Sequence, residues 1–338
     1  MKILAVQNRM GIGDMIIFLP FIEAISKKYN TPISILVKQS TKALEILKNN
    51  SHINNIILLD RNDRTKEGRH SGFIGSLNLA SDIKKYNFDK VFIFNSSLRF
   101  RLIMKIAKIK DIYQYKLFDK KKQNIIKTAQ NFLHKSISLD VESKPIISIN
   151  TKDINEAYVK YNIEKKNINI LLGIGGSGDT KRVPAEKYIE FIKLCTNSYK
   201  CKFFLATGKK YEEQEILKKI LNSNFKNFCK ALDDLTISET LPIIKNCNLA
   251  VCNDTSFSHL SAALDIETIV LMTDSPLLYG SYSPKMHPII PDGEKTVTHN
   301  TLGKNKINPE KIFNKMKEIL KLSYIFYIYF FRLVINRS

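Results

Sequence analysis

Apolar positions along the chain fall into two alternating signatures. Short β-leaning runs at Lys2–Val6 (KILAV), Ile33–Val37, Asn55–Leu59, Lys90–Asn95 and Ile112–Tyr115 predict strands. Between them lie stretches with helical spacing. Ile17, Phe21, Ala24 and Ile25 share one face of an amphipathic helix over Ile16–Lys28, and Thr41–Asn49, Leu77–Tyr86, Leu98–Ala107 and Asn124–Ser136 follow the same period. The segment Asp140–Asn167 is polar and Lys/Asn-rich, which predicts a domain link holding a short helix (Ile154–Tyr161). A second alternating block follows. Its predicted strands are Ile168–Gly173, Lys202–Ala206, Leu249–Cys252 and Thr268–Met272; its helices are Pro184–Ser198, Glu212–Leu221, Ile237–Asn246 and Ser256–Leu264. Such alternation implies parallel sheets covered by helices. Each block opens on a strand and a glycine-rich turn, so the expected α/β architecture is two Rossmann-like domains facing a cleft. The expected boundaries are 1–155, 156–310 and a terminal helix with an apolar tail over 311–338.

Length and composition refine this picture. A chain of 338 residues suits two α/β domains. All five cysteines lie in the second half without a Cys-x-x-Cys pair, which argues against a disulfide framework or a zinc site and for a reducing compartment. The chain opens directly on a strand, so no signal peptide is expected. The net charge of +21 has two readings, an anionic partner or a lysine-rich solvated surface. No zinc-finger or RNP-type motif supports nucleic acid. The tail Leu322–Ile335 (LSYIFYIYFFRLVI) is apolar and aromatic, with Lys317, Lys321 and Arg337 around it. It is short for a membrane span, which needs about 20 apolar residues. An interfacial membrane helix and a terminal helix buried on the protein body both fit it.

Four turns carry candidate chemistry. In NRMGIGDMIIFLP, residues 8–20, a dinucleotide fingerprint is excluded because Ile16 occupies the third glycine position, and Asp14 would repel a pyrophosphate. Asp14 is either a helix cap or a carboxylate able to take a substrate proton. In GIGGSGDTKRVPAEKY, residues 173–188, the glycines permit close backbone approach, and Lys181 and Arg182 precede a helix N-terminus, a cradle for diphosphate or a solvated basic turn. It lacks the Gly-Lys-Ser/Thr ending of a Walker A motif. In ATGKKYEEQE, Glu212 or Glu213 suits a ribose hydroxyl, or simply the helix dipole. In VCNDTSFSHLSAAL, Asp254, Thr255, Ser256 and His259 surround a helix start where free N–H groups can hold phosphate, although capping and packing would also explain them.

In combination, GIGDMIIFLPFIEAI, GGSGDTKRVPAEKY and NDTSFSHLSAAL resemble, in order and spacing, glycosyltransferase family 9, the lipopolysaccharide heptosyltransferases. The resemblance spans roughly residues 1 to 320. It implies a GT-B fold with a C-terminal helix crossing back to the first domain. It also implies an inverting transfer of a heptose-like sugar from ADP-heptose to a lipopolysaccharide core or related anionic glycolipid. By the same resemblance Asp14 is the general base. Gly176, Ser177, Lys181, Asp254, Thr255, Ser256 and His259 hold the donor, with Glu212, less surely Glu213, on the nucleoside. Gly13 and the basic stretch DRNDRTKEGRH, with Arg61, Arg64, Lys66, Arg69 and His70, face the acceptor. Neither cofactor nor metal is expected. The implied location is the cytoplasm, peripheral on the inner face of the bacterial inner membrane. The chain departs from the family pattern at Ser256 (glycine in relatives), at Val183 (usually aromatic) and over Met272–Pro284. Those departures keep two alternatives open: a sugar-nucleotide epimerase, or a non-catalytic nucleotide-sugar or lipid-binding relative.

Overall fold

The computed structural model describes residues 1–62, 65, 67–117 and 124–321. Its contacts divide the chain into two units, Met1–Ser148 and Ile149–Ser338. The first contains β1 (Ile3–Val6), α1 (Ile12–Tyr29), β2 (Ile33–Lys38), α2 (Ala43–Ile46), β3 (Ile53–Leu59), α3 (Gly72–Lys84), β4 (Lys90–Ile93), α4 (Leu98–Ile106), β5 (Asp111–Gln114) and α5 (Ile125–Ile137). Its sheet runs β3-β2-β1-β4-β5 with every pair parallel. The second contains α6 (Thr151–Lys160), β6 (Ile168–Gly173), α7 (Ala185–Ser198), β7 (Cys201–Ala206), α8 (Tyr211–Leu221), β8 (Cys229–Ala231), α9 (Ile237–Lys245), β9 (Leu249–Asn253), α10 (Ser256–Ala263), β10 (Thr268–Leu271) and β11 (Met286–Ile289). Its sheet, also all parallel, runs β11-β10-β9-β6-β7-β8. Each order is that of a doubly wound Rossmann-like sheet.

Strand composition follows from coverage on both faces. β1 and β2 are buried throughout, as parallel strands between helical layers must be. Leu4, Val6, Val91 and Ile93 share one core with Leu79, Ile83, Phe100 and Ile103 of α3 and α4. The other face meets α1, buried without a break from Met15 to Ile22. Here the expectation of an amphipathic helix gives way, because a helix apolar all round is a central one. α1 also begins at Ile12, four residues before the expected start, so Asp14 stands inside its first turn. In the second unit, Ile312, Met316 and Ile319 of a helix over residues 309–321 enter the core formed by β6, β7 and α7. The apolar tail at 322–335 lies outside the described residues. Among the described residues no helix is long and apolar enough to cross a membrane.

Two strands escape the sequence pattern, and both are sheet edges. β8 is three residues long. β11 reads Met-His-Pro-Ile and pairs only with β10. An edge tolerates proline because one side of its ladder makes no bonds.

Candidate functional site

In a doubly wound sheet, ligands bind beyond the carboxyl ends of the strands where the strand order reverses. The reversals lie between β1 and β4 in the first unit and between β6 and β9 in the second. The sequence motifs fall at these two places.

In the second unit, the turn after β6 faces the start of α10 after β9. Asn253, fully buried at the end of β9, donates its amide to the carbonyls of Ile174 and Gly175, 3.0 Å each. Its own oxygen accepts from the buried Tyr188 hydroxyl at 2.7 Å, a phenol whose pKa burial pushes well upward. Arg182 closes the turn from the other side, donating to the Gly176 carbonyl at 3.0 Å. Glycine is required here by close approach. A Cβ on Gly173 would stand 2.6 Å from Cys252 Sγ, and one on Gly175 2.6 Å from a Glu213 oxygen.

This clamped turn presents three kinds of group. Lys181 Nζ lies 2.6 Å from Asp254 Oδ2, using one of three ammonium donors. The Asp254 side chain is 5% exposed, and it also accepts from Ser275 and has His259 3.9 Å away. Burial alone would raise the Asp254 carboxyl, but the charges of Lys181 and His259 and the Lys181 and Ser275 hydrogen bonds more than offset it, so its pKa lies below the ordinary value. His259 is held by the Tyr282 hydroxyl at 2.9 Å and stacks on that ring. The second group is the N-terminus of α10. Thr255 is extended at its cap and makes no side-chain cap bond, so the first helical amides are directed outward. The third is a pair of buried hydroxyls, Thr207 Oγ1 after β7 and Thr255 Oγ1, which have no hydrogen-bond partner among the described residues.

The structure separates the two acids of α8. Glu213 is buried and accepts from the Gly176 N–H at 2.8 Å, whereas Glu212 is exposed. Of these two acids, Glu213 is the one that faces the turn after β6. Helical phase carried that signal: Glu213 precedes the buried Leu217 and Ile220 by four and seven residues and shares their face. Ser177 is exposed at the turn's tip, while Ser256 is half-buried as the first residue of α10. Val183 points into the apolar core, so its departure from the family pattern alters packing behind the turn. Asn253 and Tyr188 were missed; the trace they left was a polar residue ending an otherwise apolar strand. Tyr188→Phe would leave the Asn253 oxygen buried without its donor, so we expect a loss of about 1–2 kcal/mol in urea unfolding.

In the first unit, Asp14 occupies the third position of α1. One oxygen accepts from the Gly11 N–H at 3.2 Å and the other from Arg9 at 3.1 Å, with the carboxylate 22% exposed. Gly13 is half-buried beside it. The capping contact is therefore made, and the carboxylate is still reachable. Around it stand polar groups at the ends of β1, β4 and β5. Asn95 donates to Asn8 at 3.1 Å. Gln7 Nε2, Gln114 Oε1 and the Tyr115 hydroxyl are buried with no hydrogen-bond partner among the described residues.

The basic stretch behaves unevenly. Arg69 is committed to Asp82, donating Nε at 3.1 Å and NH2 at 3.2 Å. His70 is buried, accepts from the Asp60 N–H at 3.0 Å and reaches Asp82 at 3.2 Å. The Arg69 and Lys85 hydrogen bonds, opposed by burial, hold the Asp82 carboxyl far below its ordinary range. Arg69, whose side chain is still 56% exposed, and His70 both bond Asp82 of α3. Arg61 is half-buried at the loop's start. Arg64 and Lys66 lie outside the described residues. Among the described residues no group of three or more His, Cys, Asp or Glu side chains is placed to hold a metal.

Residues 78–315 match the family model described as glycosyltransferase family 9 (heptosyltransferase). The chain is 23% identical to lipopolysaccharide heptosyltransferase 1 of Campylobacter coli, over 94% of this chain and 99% of that protein. Its fold matches the glycosyl transferase family 9 structure from Veillonella parvula with a TM-score of 0.76, at 19% identity over 94% of this chain and 97% of that one. It also matches E. coli ADP-heptose lps heptosyltransferase II with a TM-score of 0.73, at 17% identity over 96% and 100%. The two Rossmann-like sheets and the matched family model together establish that this chain belongs to glycosyltransferase family 9.

Proposed function

We propose that the protein is an inverting heptosyltransferase that takes a heptose from ADP-heptose and passes it to a lipopolysaccharide core or related anionic glycolipid. The carrying observation is the convergence of Lys181, the α10 N-terminus, Glu213 and two threonine hydroxyls without a partner among the described residues, at the switch point of one sheet. A nucleoside diphosphate satisfies that set: phosphate oxygens take the Lys181 and amide donors, and ribose hydroxyls suit a buried carboxylate. Asp14 acts on the acceptor. It takes the hydroxyl proton as the oxygen bonds to the anomeric carbon, and the bond from that carbon to the diphosphate breaks with its electron pair leaving on ADP. Lys181 and the α10 amides stabilise the charge on the departing phosphate, so activity should persist in EDTA. Strict dependence on a divalent ion would contradict this division of labour. We place the reaction at the cytoplasmic face of the inner membrane, where a lipid-linked acceptor presents its sugars.

A donor panel tests the reading. ADP-heptose should raise the melting temperature more than UDP- or GDP-sugars; ligand at 100 times its Kd adds about 2.7 kcal/mol. A shift with UDP-sugars alone, or acceptor-independent epimerisation of the nucleotide sugar, would overturn it.

A further inference from the structure

We infer that α3 and α4 of the first unit form the surface that docks on an anionic bilayer. The inference deepens the glycosyltransferase reading, from which it takes only a lipid-linked acceptor. The two helices pack side by side on one face of the first sheet. Their outer faces are apolar where a soluble protein is ordinarily polar. On α3, Phe73 is 81% and Ile74 72% exposed, with Leu77 beside them; on α4, Leu98, Leu102 and Ile106 recur every fourth residue, all exposed. Recurrence at four residues draws one continuous stripe along a helix. The Arg99 guanidinium bonds the His70 carbonyl just before α3, so the N-terminal ends of the two helices lie close together.

Charge names the occupant. From Leu98 to Lys110 the chain carries Arg99, Arg101, Lys105, Lys108 and Lys110 and no acid. Asp82 on α3 is neutralised by Arg69 and Lys85. Exposed aromatic and aliphatic side chains ringed by cations suit acyl chains below anionic head groups. Placement fits as well. Both N-termini lie at the carboxyl edge of the sheet, the edge that carries the Asp14 turn, and the basic loop runs directly into α3.

The test uses the full chain and vesicles of phosphatidylglycerol and phosphatidylethanolamine, with neither donor nor acceptor present. It therefore stands whether or not sugar transfer is ever observed. Replacing Ile74, Leu77 and Leu102 with Ser should weaken vesicle binding about tenfold or more, with circular dichroism and melting temperature unchanged. Phosphatidylcholine vesicles should bind the unaltered chain at least about tenfold less. The chain has no tryptophan, so Leu102→Trp supplies a single reporter. Its emission should shift to the blue and be quenched by brominated acyl chains, while Val159→Trp, exposed on α6, should stay solvent-like. Unchanged binding of the Ser variant would overturn the inference and leave the 322–335 run as the foot. Equal binding to neutral vesicles would overturn it too, as would a dimer in sedimentation velocity that the Ser variant abolishes.

Discussion

Asp14→Asn is expected to lower turnover at least ~10²-fold, the low end of what a positioned general base contributes, while ADP-heptose affinity stays near that of the unaltered enzyme. The substitution separates the two roles that Asp14 can play. An asparagine oxygen still accepts from the Gly11 N–H, so the first turn of α1 keeps its cap. What disappears is the charge that Arg9 pairs with and the capacity to accept a proton. Stability should change little, since a surface-exposed pair of this kind contributes about 0–1 kcal/mol. Turnover within a few fold of normal would confine Asp14 to capping.

Lys181→Ala is expected to weaken ADP binding about 10–100-fold, the loss of one or two hydrogen bonds to a charged group. It should also destabilise the empty protein, because Asp254 is buried and would lose its cation. Breaking a buried pair costs about 3–5 kcal/mol, and the lower end applies because Lys181 is a quarter exposed. Adding Asp254→Asn to Lys181→Ala should recover part of that stability, which a double-mutant cycle in urea would read. The pH dependence has a definite sign. The Asp254 pKa lies below its unfolded value, so its contribution to stability is present above about pH 4 and is lost as pH falls through the folded-state value. Lys181→Ala removes the largest attraction holding that value down, so the acid limb should flatten. An unchanged limb would mean that the ion pair does not hold the Asp254 proton off.

The fold was legible because both sheets are buried on both faces, which makes strands such as Ile3–Val6 and Leu249–Asn253 nearly continuous apolar runs. Edges lack that burial, and β8 and β11 went unread. The glycine turn after β6 was visible because Gly173 and Gly175 leave no room for a Cβ. What the sequence hid was side-chain direction. Arg69 belongs to the basic stretch expected to face the acceptor, and its guanidinium bonds Asp82, thirteen residues away across a turn. Tyr188 lies in the core, and its hydroxyl reaches Asn253 across 65 positions. Such long-range pairs leave no local period to read.

The direct test of the account is to incubate purified protein with ADP-heptose and a heptose-deficient lipopolysaccharide core acceptor, then analyse acceptor and nucleotide by mass spectrometry and NMR. The account predicts an acceptor heavier by one heptosyl unit, one ADP released per unit transferred, and an anomeric configuration opposite to that of the donor. An acceptor left unmodified while the nucleotide sugar is epimerised or hydrolysed, or a product that retains the donor's configuration, would contradict it.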